Sequence, residues 1–173
     1  MRGDPEHADS KRALKTAKTQ LKQKVRGNEK FRDGELPDAM ACYSAALELD
    51  PDNTLGLCHI LHVNRAVVRG KLGATDDAIT DCTAALEIDA FYTKARLKRA
   101  ELYKQKGDMD EAHEDYTAVL EAEPQHKQRP QIQKVRARTR VWHLLKTKAI
   151  FLKDGYGTEQ RTCVLLRPTS KAG

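Results

Sequence analysis

Lys24 and Asn28 stand four residues apart, and so do Lys94 and Lys98. On a helix that spacing puts each pair on one face. Asn64 falls between the two pairs in the chain, and Arg99 follows Lys98 directly. Ammonium groups neutralise carboxylates, whereas a carboxamide can hold a backbone amide or a terminal oxygen. No acidic side chain interrupts residues 15–28 or 93–100, so nothing in those stretches quenches the lysines. The ligand that suits this set is an extended peptide with two carboxylates close together, as at a C-terminal aspartate. A lysine on an amphipathic helix is ordinarily no more than solvated. The set has meaning only if the fold gathers Lys24, Asn28, Asn64, Lys94 and Lys98 into one groove, with Arg99 as a guanidinium beside them.

The other reactive groups read as packing or surface. Cys58, His59 and His62 superficially resemble a metal trio, but no second pair of ligands follows at zinc-like spacing. Cys42, Cys58, Cys82 and Cys163 lie far apart with no Cys-x-x-Cys pair, so they read as reduced thiols. Cys42, Cys58 and Cys82 are expected to be small core residues. Glu111, His113 and Asp115 hold acid–base groups, yet along a helix they read as solvent-facing. The chain contains no nucleophile elbow and no phosphate-cradling glycine loop. A non-catalytic protein without metal or cofactor is expected.

The elements that must position the set are helical. A chain of 173 residues, 39% apolar and 32% charged, fits one helix-rich domain with tails. Aromatics at 5% and ten glycines argue against a barrel or sandwich of short strands. No window is apolar enough for a membrane span, and the N-terminus lacks the apolar run of a secretory signal. The expected setting is cytoplasmic, with the nucleus second. Charge falls in three bands: residues 1–27 carry eight basic and three acidic side chains, 28–123 eleven and twenty, 124–173 twelve and two.

An internal repeat runs through the acidic middle. Ala39, Tyr43, Ala46-Leu47 and Pro51 correspond to Ala78, Cys82, Ala85-Leu86 and Ala90, and then to Ala112, Tyr116, Val119-Leu120 and Pro124, with Asp50 and Asp89 just before the junctions of the first two units. The step from Ala78 to Ala112 is 34 residues and that from Ala39 to Ala78 is 39, so the first junction holds about five extra residues at 52–57. Small residues recur where two helices approach closely, with Gly27, Ala66 and Ala100 in the first helix of each pair. Gly34, Gly73 and Gly107 fall where one helix ends in a left-handed residue and the next begins. Pro37 and the acids at 38, 76–77 and 110–111 suit the first turns that follow.

These residues resemble the tetratricopeptide repeat over residues 20–124. The resemblance implies an all-α superhelix of three helix-turn-helix units, with the first helix of each unit lining the hollow side. Arg69 and Gly70 stand where the family places a large aromatic, so weaker packing is expected in the second unit. The flanks read as a basic, partly helical segment at 1–19, with Ser10 as a helix cap, a basic capping helix at 125–153 and a flexible tail at 154–173. The capping helix is expected to pack Ile132, Val135, Trp142, Leu145 and Ala149 on the last unit.

The lysine–asparagine set also matches the carboxylate clamp of co-chaperone tetratricopeptide domains. That family reads Lys, Asn, Asn, Lys, Arg and binds the Glu-Glu-Val-Asp tails of cytosolic heat-shock chaperones. Lys24, Asn28, Asn64 and Lys94 match. Lys98 holds the fifth place, where lysine keeps the charge of the family's arginine but loses its bidentate fork. The resemblance therefore implies a chaperone adaptor whose partner is an acidic chaperone tail. The run Lys94-Ala95-Arg96-Leu97-Lys98-Arg99-Ala100 and the run from Asp77 to Thr83 are similar to a repeat block of the DnaJ subfamily C co-chaperones. In those proteins a J domain with a His-Pro-Asp loop follows, and no such triplet occurs here. That implies a truncated or divergent relative that binds chaperones without stimulating them. A scaffold for another acidic peptide is the second reading. The third is an RNA-associated protein using the acid-free basic stretch 124–153, where Trp142 is the aromatic among the charges that offers itself for base stacking.

Overall fold

The computed structural model describes residues 5–139 and 141, with side chains from Ser10 onward. The described residues form α1 (Pro5–Arg32), α2 (Leu36–Glu48), α3 (Cys58–Lys71), α4 (Thr75–Ile88), α5 (Thr93–Lys106) and α6 (Met109–Ala122). A further helical segment, α7, occupies 129–139. The six full helices pair as three hairpins, α1 with α2, α3 with α4 and α5 with α6. Each hairpin stacks on the next through α2 against α3 and α4 against α5, and α3 also touches α5. That last contact joins the first helices of successive units, which builds the concave side of a solenoid.

The repeat residues explain this assembly. Gly34, Gly73 and Gly107 have φ of +83°, +83° and +100°, the left-handed turn that ends the first helix of each unit. Pro37 and Asp38, then Asp76 and Asp77, then Asp110 and Glu111 occupy the first turns of α2, α4 and α6. Their carboxylates face the positive ends of those helices. Ala39, Ala78 and Ala112 are fully buried, as are Ala66 and Ala100, where helices cross closely. Gly27 is tighter still: a Cβ there would come within 2.7 Å of Tyr43 Cε1. Ile132 of α7 is only 2% exposed and packs with Ala100, Ala112, Tyr116 and Val119, so α7 closes the third unit. Trp142, Leu145, Ala149, Cys163 and the tail at 154–173 lie outside the described residues.

At three places the structure departs from the sequence reading or decides between its alternatives. The basic N-terminal segment and the first repeat helix are one continuous helix of 28 residues, and Ser10 sits inside it rather than capping it. Of the two ways to absorb the residues inserted at the first junction, a longer helix or a loop, the structure takes the loop. Its organiser is the buried Asp50, whose carboxylate accepts from the Thr54 N–H (2.8 Å), the Thr54 hydroxyl (2.7 Å) and the Leu55 N–H (2.9 Å). Finally, the missing aromatic of the second unit is compensated. Gly70 admits Leu102 from the neighbouring hairpin, its absent Cβ lying 3.1 Å from Leu102 Cδ2, and Arg69 donates to Asp81 at 2.8 Å.

Candidate carboxylate-binding groove

On the concave side, α3, α5 and the loops before α5 and after α6 enclose an open groove of about 690 Å³. Asn64, Lys94 and Lys98 line it, above an apolar floor that includes Val63, Val67 and Leu97. Asn28 joins from α1, because the Asn64 Nδ2 group donates to Asn28 Oδ1 at 3.3 Å. Tyr43 of α2 donates its hydroxyl to the same oxygen at 2.7 Å. The Asn28 carbonyl is thus filled from two sides, and its NH₂ end is what remains for a ligand. Lys24 stands one turn back on the same face of α1. Neither Lys24 nor Lys94 has an ion-pair partner among the described residues, whereas Lys98 Nζ lies 3.4 Å from Glu101 Oε2. Such a surface offers cations to side-chain carboxylates and amides to a chain terminus.

Arg99 is placed elsewhere. Its guanidinium makes a bidentate pair with Asp115, both contacts at 2.8 Å, and donates to Thr83 Oγ1 at 3.1 Å. Asp115 is therefore buried rather than solvent-facing, which corrects the expectation for it. The hydrogen bonds to Asp115 raise the Arg99 pKa further above its ordinary value. The same device recurs one unit earlier. Arg65 grips Asp81 at 2.7 Å and Ser44 Oγ at 3.2 Å. Each arginine ties its own hairpin together and reaches back to a hydroxyl on the preceding one. Asp81 is 2% exposed, and burial alone would raise its pKa. Hydrogen bonds from His62 and Arg65, with the charges of Arg65 and Arg69, outweigh burial and hold its pKa below the usual carboxylate range.

The groups weighed for other chemistry are engaged in the fold. His62 Nδ1 meets Asp81 at 3.2 Å, and His59 sits edge-on to Tyr92 with ring centroids 4.9 Å apart. Cys42, Cys58 and Cys82 are buried. Burial, then the charge of Asp81, pushes the Cys82 thiol up to about 12, so it stays protonated at neutral pH. Sequence reasoning missed two groove residues, Glu101 and Phe91, the latter 83% exposed at the groove's edge, and the buried Tyr43 that supports Asn28 from behind. Glu101 was legible as a neighbour of Lys98 by its three-residue spacing. Nothing in the sequence marks Phe91.

Residues 93–126, spanning α5, α6 and the loop that follows, match the model of the family described as Tetratricopeptide repeat. The chain is a tetratricopeptide-repeat protein. Human DnaJ homolog subfamily C member 7 is 38% identical to it over 130 residues, 74% of this chain and 26% of the relative. The chain spans about a quarter of the length of the curated relatives it matches first. The first TPR of Spaghetti (RPAP3), solved bound to the HSP90 peptide SRMEEVD, is 29% identical, with a TM-score of 0.64 over 70% of this chain and 94% of that one. The second TPR domain of human RPAP3, in complex with the HSP70 peptide SGPTIEEVD, is also 29% identical, with a TM-score of 0.61 over 71% and 96%. Both share the all-α superhelix of this tetratricopeptide-repeat protein. No helix among the described residues is long and apolar enough to cross a membrane.

Proposed function

We propose that this tetratricopeptide-repeat protein is a non-catalytic co-chaperone adaptor whose groove grips the acidic C-terminal peptide of a cytosolic heat-shock chaperone. The observation that carries this reading is the contact between Asn28 and Asn64, which joins α1 to the groove that also holds Lys94 and Lys98. Amides from two hairpins and ammonium groups from a third thereby face one trough. Lys24, Lys94 and Lys98 neutralise the peptide's carboxylates, while Asn28 and Asn64 hold its last backbone amide and terminal oxygens. Structures of similar repeats hold peptides of this kind, SRMEEVD and SGPTIEEVD.

Titration of labelled SRMEEVD against single variants tests the reading. Lys94→Ala and Asn64→Ala are each expected to weaken binding by about tenfold, the scale of one charge-assisted hydrogen bond. Both sites are on the groove surface, so the melting temperature should hold. Binding that survives both changes unaltered contradicts the proposal.

A further inference from the structure

Among the lysines that line the groove, Lys94, Lys98 and Lys127, Lys98 is the one with an acid already against it, the Glu101 carboxylate at 3.4 Å one turn along α5. Glu101 lines the same groove and is 41% exposed, so the pair is weak and easily displaced. Two other carboxylates border the groove, and both are engaged. Asp89 accepts the Phe91 N–H at 3.0 Å, and Glu123 accepts the Thr93 hydroxyl at 2.6 Å. Glu101 is therefore the carboxylate that an incoming peptide must deal with. When a ligand carboxylate takes Lys98, Glu101 loses its partner and stays beside the ligand. A neutral or acidic side chain upstream leaves that charge unanswered or repelled, whereas a cation restores a pair.

We infer that Glu101 is a specificity-determining residue, which makes the groove favour acidic C-terminal peptides carrying a basic side chain just upstream of the acidic residues. The inference rests on the peptide-binding reading proposed above and names the class of tail that site prefers. It also gives the lysine at the fifth position a consequence. A lysine paired in this way holds its acid at one point, whereas a guanidinium could keep the acid and still present a second donor.

The test measures affinities of SRMEEVD and of SAMEEVD, in which alanine replaces the arginine, at low salt. Wild type should bind the arginine peptide about 3-fold more tightly, the range expected of one partly exposed ion pair. Glu101→Gln should bring that ratio to about one by tightening the alanine peptide's binding, and Glu101→Asp, which keeps the charge, should retain a preference. A merely structural role for Glu101 would move both affinities together and leave the ratio intact. A ratio of one in wild type, or the same ratio in wild type and Glu101→Gln, overturns the assignment while leaving the peptide-binding reading standing. Failure of wild type to bind either peptide overturns both.

Discussion

Asn28 shows how a single side chain is prepared for a ligand. Its carbonyl receives the Tyr43 hydroxyl from below and the Asn64 amide from the neighbouring hairpin. Tyr43 itself can lie there because Gly27, one residue before, offers no Cβ to its ring. Tyr43→Phe keeps the packing and removes the hydrogen bond, so the fold should persist while Asn28 loses its orientation. The expected outcome is a loss of peptide affinity of about fivefold, near 1 kcal/mol, measured by calorimetry. Unchanged affinity would show that Asn28 needs no such support. At this scale the sequence was partly readable. Spacing of four residues placed Lys24 with Asn28 and Lys94 with Lys98, because a helix returns to the same face after that interval. The same rule separates Arg99 from Lys98. Neighbours in the chain point about 100° apart on a helix, so Lys98 faces the groove while Arg99 enters the hairpin interface.

The helices are held by a repeated ionic device. Arg65 with Asp81 and Arg99 with Asp115 each span a hairpin, and each arginine touches a hydroxyl on the hairpin before it. At the corresponding places in the first unit stand Arg26 and Cys42, so that hairpin lacks the carboxylate. The buried Asp81 makes a pH prediction with a definite sign. Its pKa is lowered on folding, so its ion pairs stabilise the protein above the unfolded value near 4 and fade as pH falls through the folded value. Urea unfolding from pH 7 to pH 3 should therefore show a loss of stability in acid. Asp81→Asn should be about 2 kcal/mol less stable at pH 7 and should lose less on acidification, the two proteins converging at low pH. A parallel decline in both would assign the acid sensitivity elsewhere. These pairs were hidden in the sequence because Arg65 and Asp81 are sixteen residues apart on different helices, a distance that carries no periodic signal. Helix starts and stops were readable, since glycines at 34, 73 and 107 and acids in the following first turns have local physical causes.

As a whole, the molecule is a short solenoid whose acidic repeats lie between basic ends. Its overall form could be read from three units in phase, because each amphipathic hairpin can bury its apolar faces only by stacking on another. The junctions could not. Joining of the basic segment to the first repeat helix depends on Gly27 and Asn28 continuing a helix they do not favour intrinsically, under packing from Tyr43. The loop at 50–57 depends on one buried carboxylate, which composition does not announce. The approach of α3 to α5 follows from the stack, and it brings Asn64, Lys94 and Lys98 into one groove that Asn28 reaches through its contact with Asn64.

The central claim is that this site recognises a free C-terminal carboxylate beside acidic side chains. Isothermal calorimetry with SRMEEVD, ending either in the free acid or in an amide, tests it most directly. The free acid should bind one-to-one and lose about tenfold or more of its affinity on amidation, since the amide removes the charge that the lysines and asparagines answer. Equal affinity for the two ends, or no binding of the free acid, would contradict it.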